Sequence, residues 1–108
     1  MIQVSAFYPN DGTTRFDADY YCSRHIPMVQ ELLGEAIRST RVEKGLAGAA
    51  PGEPPAFHAL AHFTFDSVET FQAAFGAHAE KILGDAPNYT DVQPVLQISE
   101  VVIADPCP

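Results

Sequence analysis

The chain has 108 residues, 46% of them apolar and only 19% charged, which is one domain's worth of polypeptide with room for a modest core. Its 14 acidic and 6 basic residues leave a formal charge of −8; the bases are scattered, and Glu35 and Glu43 interleave Arg38, Arg41 and Lys44, so there is no footprint for nucleic acid or for an anionic membrane. Two cysteines, Cys22 and Cys107, are too few for a disulfide scaffold, and the absence of a leader or a bilayer-length apolar run makes the cytoplasm the expected location.

Residues 2–8 alternate Ile2, Val4, Ala6 and Tyr8 against Gln3, Ser5 and Phe7, a first strand with one face more apolar than the other. Pro9-Asn10-Asp11-Gly12 stops it with turn chemistry;. Asp17 then suits an N-cap and Asp19 the first turn of a helix over residues 17–33, with Tyr21, His25, Val29 and Leu32 on one stripe;. Pro27 interrupts this helix by removing one backbone donor, which predicts a kink or a short first turn followed by a second helix, and Gly34 ends it;.

Residues 37–45 read as a polar edge strand in which Arg and Lys discourage stray pairing;. Residues 45–55, rich in Gly, Ala and Pro, form a connection long for a hairpin, either a functional lid or a plain loop;. The clearest strand is 57–65, with Phe57, Ala59, Ala61, Phe63 and Phe65 on one face and His58, Leu60, His62 and Thr64 on the other;. Asp66 reads as the cap of a second helix, with Glu69 completing a capping box;. Val68, Phe71, Phe75, His78 and Ile82 give that helix an apolar stripe; Gly84 ends it and Ala86-Pro87-Asn88 links it onward;. Residues 92–103 read as a long last strand, with Pro94 near its start;.

The order strand, helix, strand, strand, helix, strand predicts an α+β fold: a ferredoxin-like βαββαβ unit spanning residues 1–108, its four-stranded antiparallel sheet carrying two helices on one face. The other face needs a cover, and a second copy of the chain supplies one by two-fold symmetry.

The run Phe16-Asp17-Ala18-Asp19-Tyr20-Tyr21-Cys22-Ser23-Arg24-His25-Ile26-Pro27 resembles the signature of the EthD-like family, with its tyrosine pair and a His-x-Pro after a short spacer. Tyr8-Pro9 at the end of the first strand and Phe63-Thr64-Phe65-Asp66-Ser67 at a strand-to-helix junction fit the same resemblance. It implies a dimeric α/β barrel in which two sheets close on each other as a homodimer. Members are associated with ether degradation, and relatives in the superfamily include polyketide cyclases, lactone isomerases, monooxygenases and haem-handling enzymes.

His25 is the leading candidate for chemistry. It lies four residues after Tyr21, so a helix brings the two side chains together, and an imidazole that titrates near neutrality can act as general acid and base. The alternative is that His25 binds a carbonyl freed by Pro27 and fixes the kink. Phe63, Phe71 and Phe75 are the expected aromatic walls of a pocket, with His78 and His62 as further substrate-binding candidates; each histidine also reads as a structural or interface residue. Asn88-Tyr89-Thr90-Asp91 either closes a pocket end or is a connecting loop. Cys22 has no basic cluster beyond Arg24 to activate it;.

No metal-ligand spacing, phosphate loop, nucleophile elbow or dinucleotide fingerprint is present;. No cofactor is therefore expected. The first functional expectation is an isomerase, cyclase or decarboxylase acting on an apolar or aromatic small molecule, with His25 and Tyr21 as catalytic residues. The second is a non-catalytic accessory or ligand-binding protein serving an oxidative pathway. A third is haem handling through a histidine ligand.

Overall fold

In the computed structural model, which describes residues 1–105, four strands form one antiparallel sheet in the order β2-β3-β1-β4. They are β1 (Ile2–Pro9), β2 (Ser39–Lys44), β3 (Phe57–Phe65) and β4 (Val95–Glu100). β1 and β3 hold the centre, where the alternating apolar residues meet in register: Val4 opposite Phe63, Ala6 opposite Ala61 and Tyr8 opposite Ala59. These residues face the helices and join two adjoining apolar clusters. The arrangement is the ferredoxin-like α+β fold expected from the element order. Cys107 lies outside the described residues.

The first helical stretch is continuous but not uniform. α1 (Ala18–Tyr20) runs into a π-helical turn over Tyr21–His25 and then into α2 (Ile26–Leu33). Pro27 has no N–H for the carbonyl one turn before it, and the chain adjusts by widening that turn. The amide of Ile26 reaches back to the Tyr21 carbonyl. This shifts the stripe: Tyr21, His25, Ile26, Val29 and Leu33 are buried, and Leu33 takes the place expected of Leu32. Asp17 caps the helix as predicted, its carboxylate accepting from the Tyr20 amide at 3.1 Å. Gly34 ends α2 with φ of +56°, a conformation natural only to glycine;.

The second helical stretch departs from a single helix. α3 (Val68–Gly76) and α4 (Ala79–Gly84) are separated at Ala77 and His78. The low helix propensity of Gly76 favours a break there, and the His78 amide turns back to the Phe75 carbonyl at 2.9 Å. The cap of α3 is Ser67 rather than Asp66: the Ser67 hydroxyl accepts from the Thr70 amide at 3.1 Å. Asp66 instead receives two hydrogen bonds from the Arg38 guanidinium.

Two strand expectations are also corrected. The pairing of β1 with β3 slips by one residue between Tyr8 and Pro9, where Pro9 has no N–H to give to the ladder. Phe57 therefore packs on Phe7, and His58 stacks on Phe16, 5.7 Å between ring centroids, instead of sharing a face with His62. The last strand is shorter than residues 92–103 because β1 offers partners only from Val95, opposite Phe7, to Glu100, opposite Ile2.

Residues 45–55 form no helix or strand and are pinned by backbone bonds, among them Gly45 to the His58 carbonyl and Gly48 to the Glu53 carbonyl. Among the described residues no helix is long and apolar enough to cross a membrane.

Candidate active site

A cavity of about 530 Å³ opens between the helix-facing side of the sheet and the helices above it. Its apolar wall comes from Val4 and Ala6 on β1, Phe63 and Phe65 on β3, Val29 on α2, and Phe71 and Phe75 on α3. Its polar end is built from Tyr8, Tyr21, His25 and Tyr89, and Arg15, Thr90, Asp91 and Gln93 also border it. A pocket of this size with few convergent polar groups suits a small organic molecule.

Three chain segments meet at the polar end. Tyr8 arrives at the end of β1, Tyr21 and His25 on the π-helical turn, and Tyr89 on the segment before β4. Tyr89 is fixed by backbone pairing: its carbonyl accepts from the Asp17 amide at 2.7 Å, and its neighbour Thr90 bridges to Phe16. The rings of Tyr21 and His25 stack 5.3 Å apart, and those of His25 and Tyr89 lie 4.7 Å apart.

His25 is 4% exposed, and its Nδ1 lies 2.9 Å from Asp85 Oδ2. The other carboxylate oxygen accepts from the Tyr20 hydroxyl and from the Asn88 amide, each at 2.8 Å. Burial raises the Asp85 carboxyl, but the bonds from Asn88, His25 and Tyr20 outweigh it and hold the group below the ordinary carboxylate range;. Burial lowers His25, and the attraction of Asp85 only partly restores it.

A neutral His25 next to an ionised Asp85 carries its proton on Nδ1 and donates it to the carboxylate. Nε2 is then the free base. It has no protein partner, and no buried side-chain nitrogen or oxygen is left unpaired among the described residues. Nε2 therefore keeps accessible surface, and the cavity is the space that the ring borders.

The hydroxyls of Tyr8 and Tyr89 share a hydrogen bond of 2.9 Å, and that of Tyr21 stands beside Tyr8. Burial pushes the proton affinities of Tyr8, Tyr21 and Tyr89 upward, so all three are neutral donors at ordinary pH.

Of the expected site residues, His25, Tyr21, Phe63, Phe71 and Phe75 come together around this cavity. His62 and His78 do not border it. His62 lies on the opposite face of the sheet, 2.9 Å from Ser5 Oγ and 3.2 Å from Glu43. His78 flanks the break between α3 and α4. Among the described residues no three His, Cys, Asp or Glu side chains group as metal ligands. Sequence reading missed Asp85, which stands between Gly84 and a segment read as a linker. It also missed Tyr8 as a site residue. An acid next to the flagged Asn88-Tyr89 segment was the one available signal for Asp85.

A ferredoxin-like sheet under helices that enclose an aromatic, histidine-bearing cavity defines a small α+β pocket domain. The EthD domain model matches residues 11–93, and the chain belongs to the EthD family. An EthD-like protein from Ralstonia eutropha is 56% identical, with a TM-score of 0.90, over 94% of this chain and 92% of that one. An ethyl tert-butyl ether (EthD) family protein from Bacillus halodurans is 19% identical, with a TM-score of 0.64, over 93% and 97% of the two chains. HapK from Hahella chejuensis is 13% identical, with a TM-score of 0.54, over 96% of each. At such identity the last two are similar in fold alone. No curated protein matches the sequence.

Proposed function

We infer that this EthD-family chain catalyses proton transfer on an apolar or aromatic small molecule, in the manner of an isomerase, cyclase or decarboxylase. The reading rests on one observation: His25 Nδ1 is committed to Asp85 at 2.9 Å, which leaves Nε2 as a base bordering an aromatic cavity. In this reading His25 is the general acid and base, and Tyr21 is the orienting or hydrogen-bonding partner. Phe63, Phe71 and Phe75 hold the apolar body of the substrate.

The same reading pairs the chain with a second copy through the helix-free face of the sheet. Phe7, Phe57, Leu60 and Val95 give that face an apolar patch around the polar group formed by Ser5 and His62. Phe57 and Val95 are exposed in the single chain, which supports a partner there;. Sedimentation of the wild type and of Phe57→Asp tests this: a dimer that dissociates in the variant agrees with it, and a wild-type monomer at micromolar concentration contradicts it.

The catalytic reading is tested by a thermal-shift screen of aromatic ketones and lactones, each hit then followed by NMR in D₂O. The expected result is a compound that raises Tm and is converted by the wild type but not by folded His25→Ala. Conversion that is unchanged in His25→Ala would overturn the assignment. A compound that raises Tm and is never converted favours the accessory, ligand-binding role.

A further inference from the structure

Tyr8 is the centre of the tyrosine cluster, hydrogen-bonded to both Tyr21 and Tyr89. The Tyr89 hydroxyl lies 2.9 Å from that of Tyr8, and the Tyr21 hydroxyl bonds to the same Tyr8 oxygen. No carboxylate or carbonyl accepts from any of the three among the hydrogen bonds of the described residues. With Tyr21 and Tyr89 both donating to Tyr8, one hydroxyl proton of the three, that of Tyr8, is left without an acceptor;. All three residues border the cavity. A buried hydroxyl seeks an acceptor, so this end of the cavity is built to receive an oxygen.

The charges around it limit what kind of oxygen. Among the described residues Arg15 is the one permanent cation bordering the cavity, its guanidinium donating to the Pro87 carbonyl at 3.0 Å, and Asp91 borders it as an acid. Asp85 stands behind His25 as a fixed negative charge. The two acids outweigh the one base, which disfavours a resident carboxylate, whereas a neutral carbonyl that gains charge only during reaction would find the Tyr8 donor in place.

We propose that the Tyr8 hydroxyl is the donor of an oxyanion site, with Tyr21 and Tyr89 positioning it by donating to its oxygen, and that the ligand is a neutral enolisable carbonyl compound. This deepens the proton-transfer reading and rests on it for the role of His25. The bond that breaks is the C–H next to the carbonyl. Its proton passes to His25 Nε2, and its electron pair moves through the new C=C bond onto the oxygen held by Tyr8. The imidazolium then returns the proton to carbon, at the same or a conjugated position, so the step is balanced without a co-reactant.

Phenols of graded acidity are the probe, because a phenol oxygen stands in for the enolate and binding can be measured without turnover. Affinities of 4-fluorophenol and its more acidic analogues are measured by fluorine NMR, with 4-fluoroanisole as a control that lacks the acidic hydroxyl. The expected result is that phenols bind the wild type more tightly than the anisole, and more tightly as acidity rises. Tyr8→Phe should lose about tenfold in affinity, as expected for one hydrogen bond to a charged oxygen. Tyr21→Phe and Tyr89→Phe should each lose less and flatten the dependence on acidity. Phenol affinity in Tyr8→Phe within twofold of the wild type overturns the proposal, as does a wild type that binds phenol no better than anisole. Should Tyr8→Phe fail to fold, a wild-type affinity independent of phenol acidity overturns it alone. The two readings fail separately: acidity-dependent phenol binding without any exchange of α-protons into D₂O removes the catalytic role of His25 and supports the oxyanion site.

Discussion

His25 Nδ1 and Asp85 Oδ2 lie 2.9 Å apart although 60 residues separate them in the chain. The π-helical turn before Pro27 aims the imidazole, and the end of α4 delivers the carboxylate. The pair fixes which nitrogen carries the proton, and with it which nitrogen can act as a base. A helix interrupted by proline is thus tied to a chemical property of the cavity.

Asp85→Asn should separate tautomer control from packing. The amide keeps an oxygen for Tyr20 and Asn88, but turned so, it presents its NH₂ to His25 Nδ1. The ring then carries its proton on Nε2, and the base facing the cavity is lost. Turnover of a substrate found by the thermal-shift screen should fall by about 10²–10⁴-fold, the range attributed to a positioned general base. Circular dichroism should remain that of the wild type. Undiminished turnover in a folded variant would exclude Asp85 from the mechanism.

The acid limb of kcat/KM should lie below the ordinary histidine value of about 6.5, because burial lowers His25 and Asp85 only partly opposes it. Asp85→Asn removes the opposing charge, so any residual activity should persist to still lower pH. The same shift links to stability. The unfolded chain binds the His25 proton more tightly than the folded chain, so this contribution is fully present above about 6.5 and declines as pH falls toward the folded value. NMR titration of the His25 ring, with urea melts from pH 7 to 5, checks both; a folded-state value above 6.5 would contradict them.

The central strands were legible because alternation is a direct record of a two-sided sheet: Val4, Ala6 and Tyr8 face the helices opposite Phe63, Ala61 and Ala59. His25 and Tyr21 were legible because helical spacing and a family motif converge on them. Asp85 was not, since nothing local distinguishes an acid after a helix-ending glycine from a solvated one. Its role exists only once α4 is packed beside the π-helical turn. The break at His78 and the register slip at Pro9 were hidden for a related reason. A periodic stripe predicts a face, and a single irregular residue turns the chain away from it.

Phe65→Ala should be strongly destabilising. Phe65 is 1% exposed and packs with Val4, Val29, Leu33 and Ile82. Removing a buried phenylalanine side chain costs about 3–5 kcal/mol, which for a domain of this size lowers Tm by at least roughly 10 °C. Leu83→Ala, on a side chain that is 48% exposed, should change Tm by far less. Calorimetry of both variants compares them, and similar losses would argue against the packing described for the centre of the sheet.

The start of α3 offers a sharper comparison, because two neighbouring residues compete for one role. Ser67 has the extended backbone of an N-cap (φ −155°, ψ 165°), and its hydroxyl accepts from the Thr70 amide. Asp66 reaches away to Arg38, and both partners of that ion pair are 54% exposed. Losing a cap costs about 1 kcal/mol, whereas an exposed pair is screened by water and salt. Ser67→Ala should therefore lower stability measurably at any ionic strength. Asp66→Ala should have a smaller effect, and that effect should shrink further in high salt. Urea melts at low and high salt separate the two; a larger, salt-independent loss in Asp66→Ala would return the cap to Asp66.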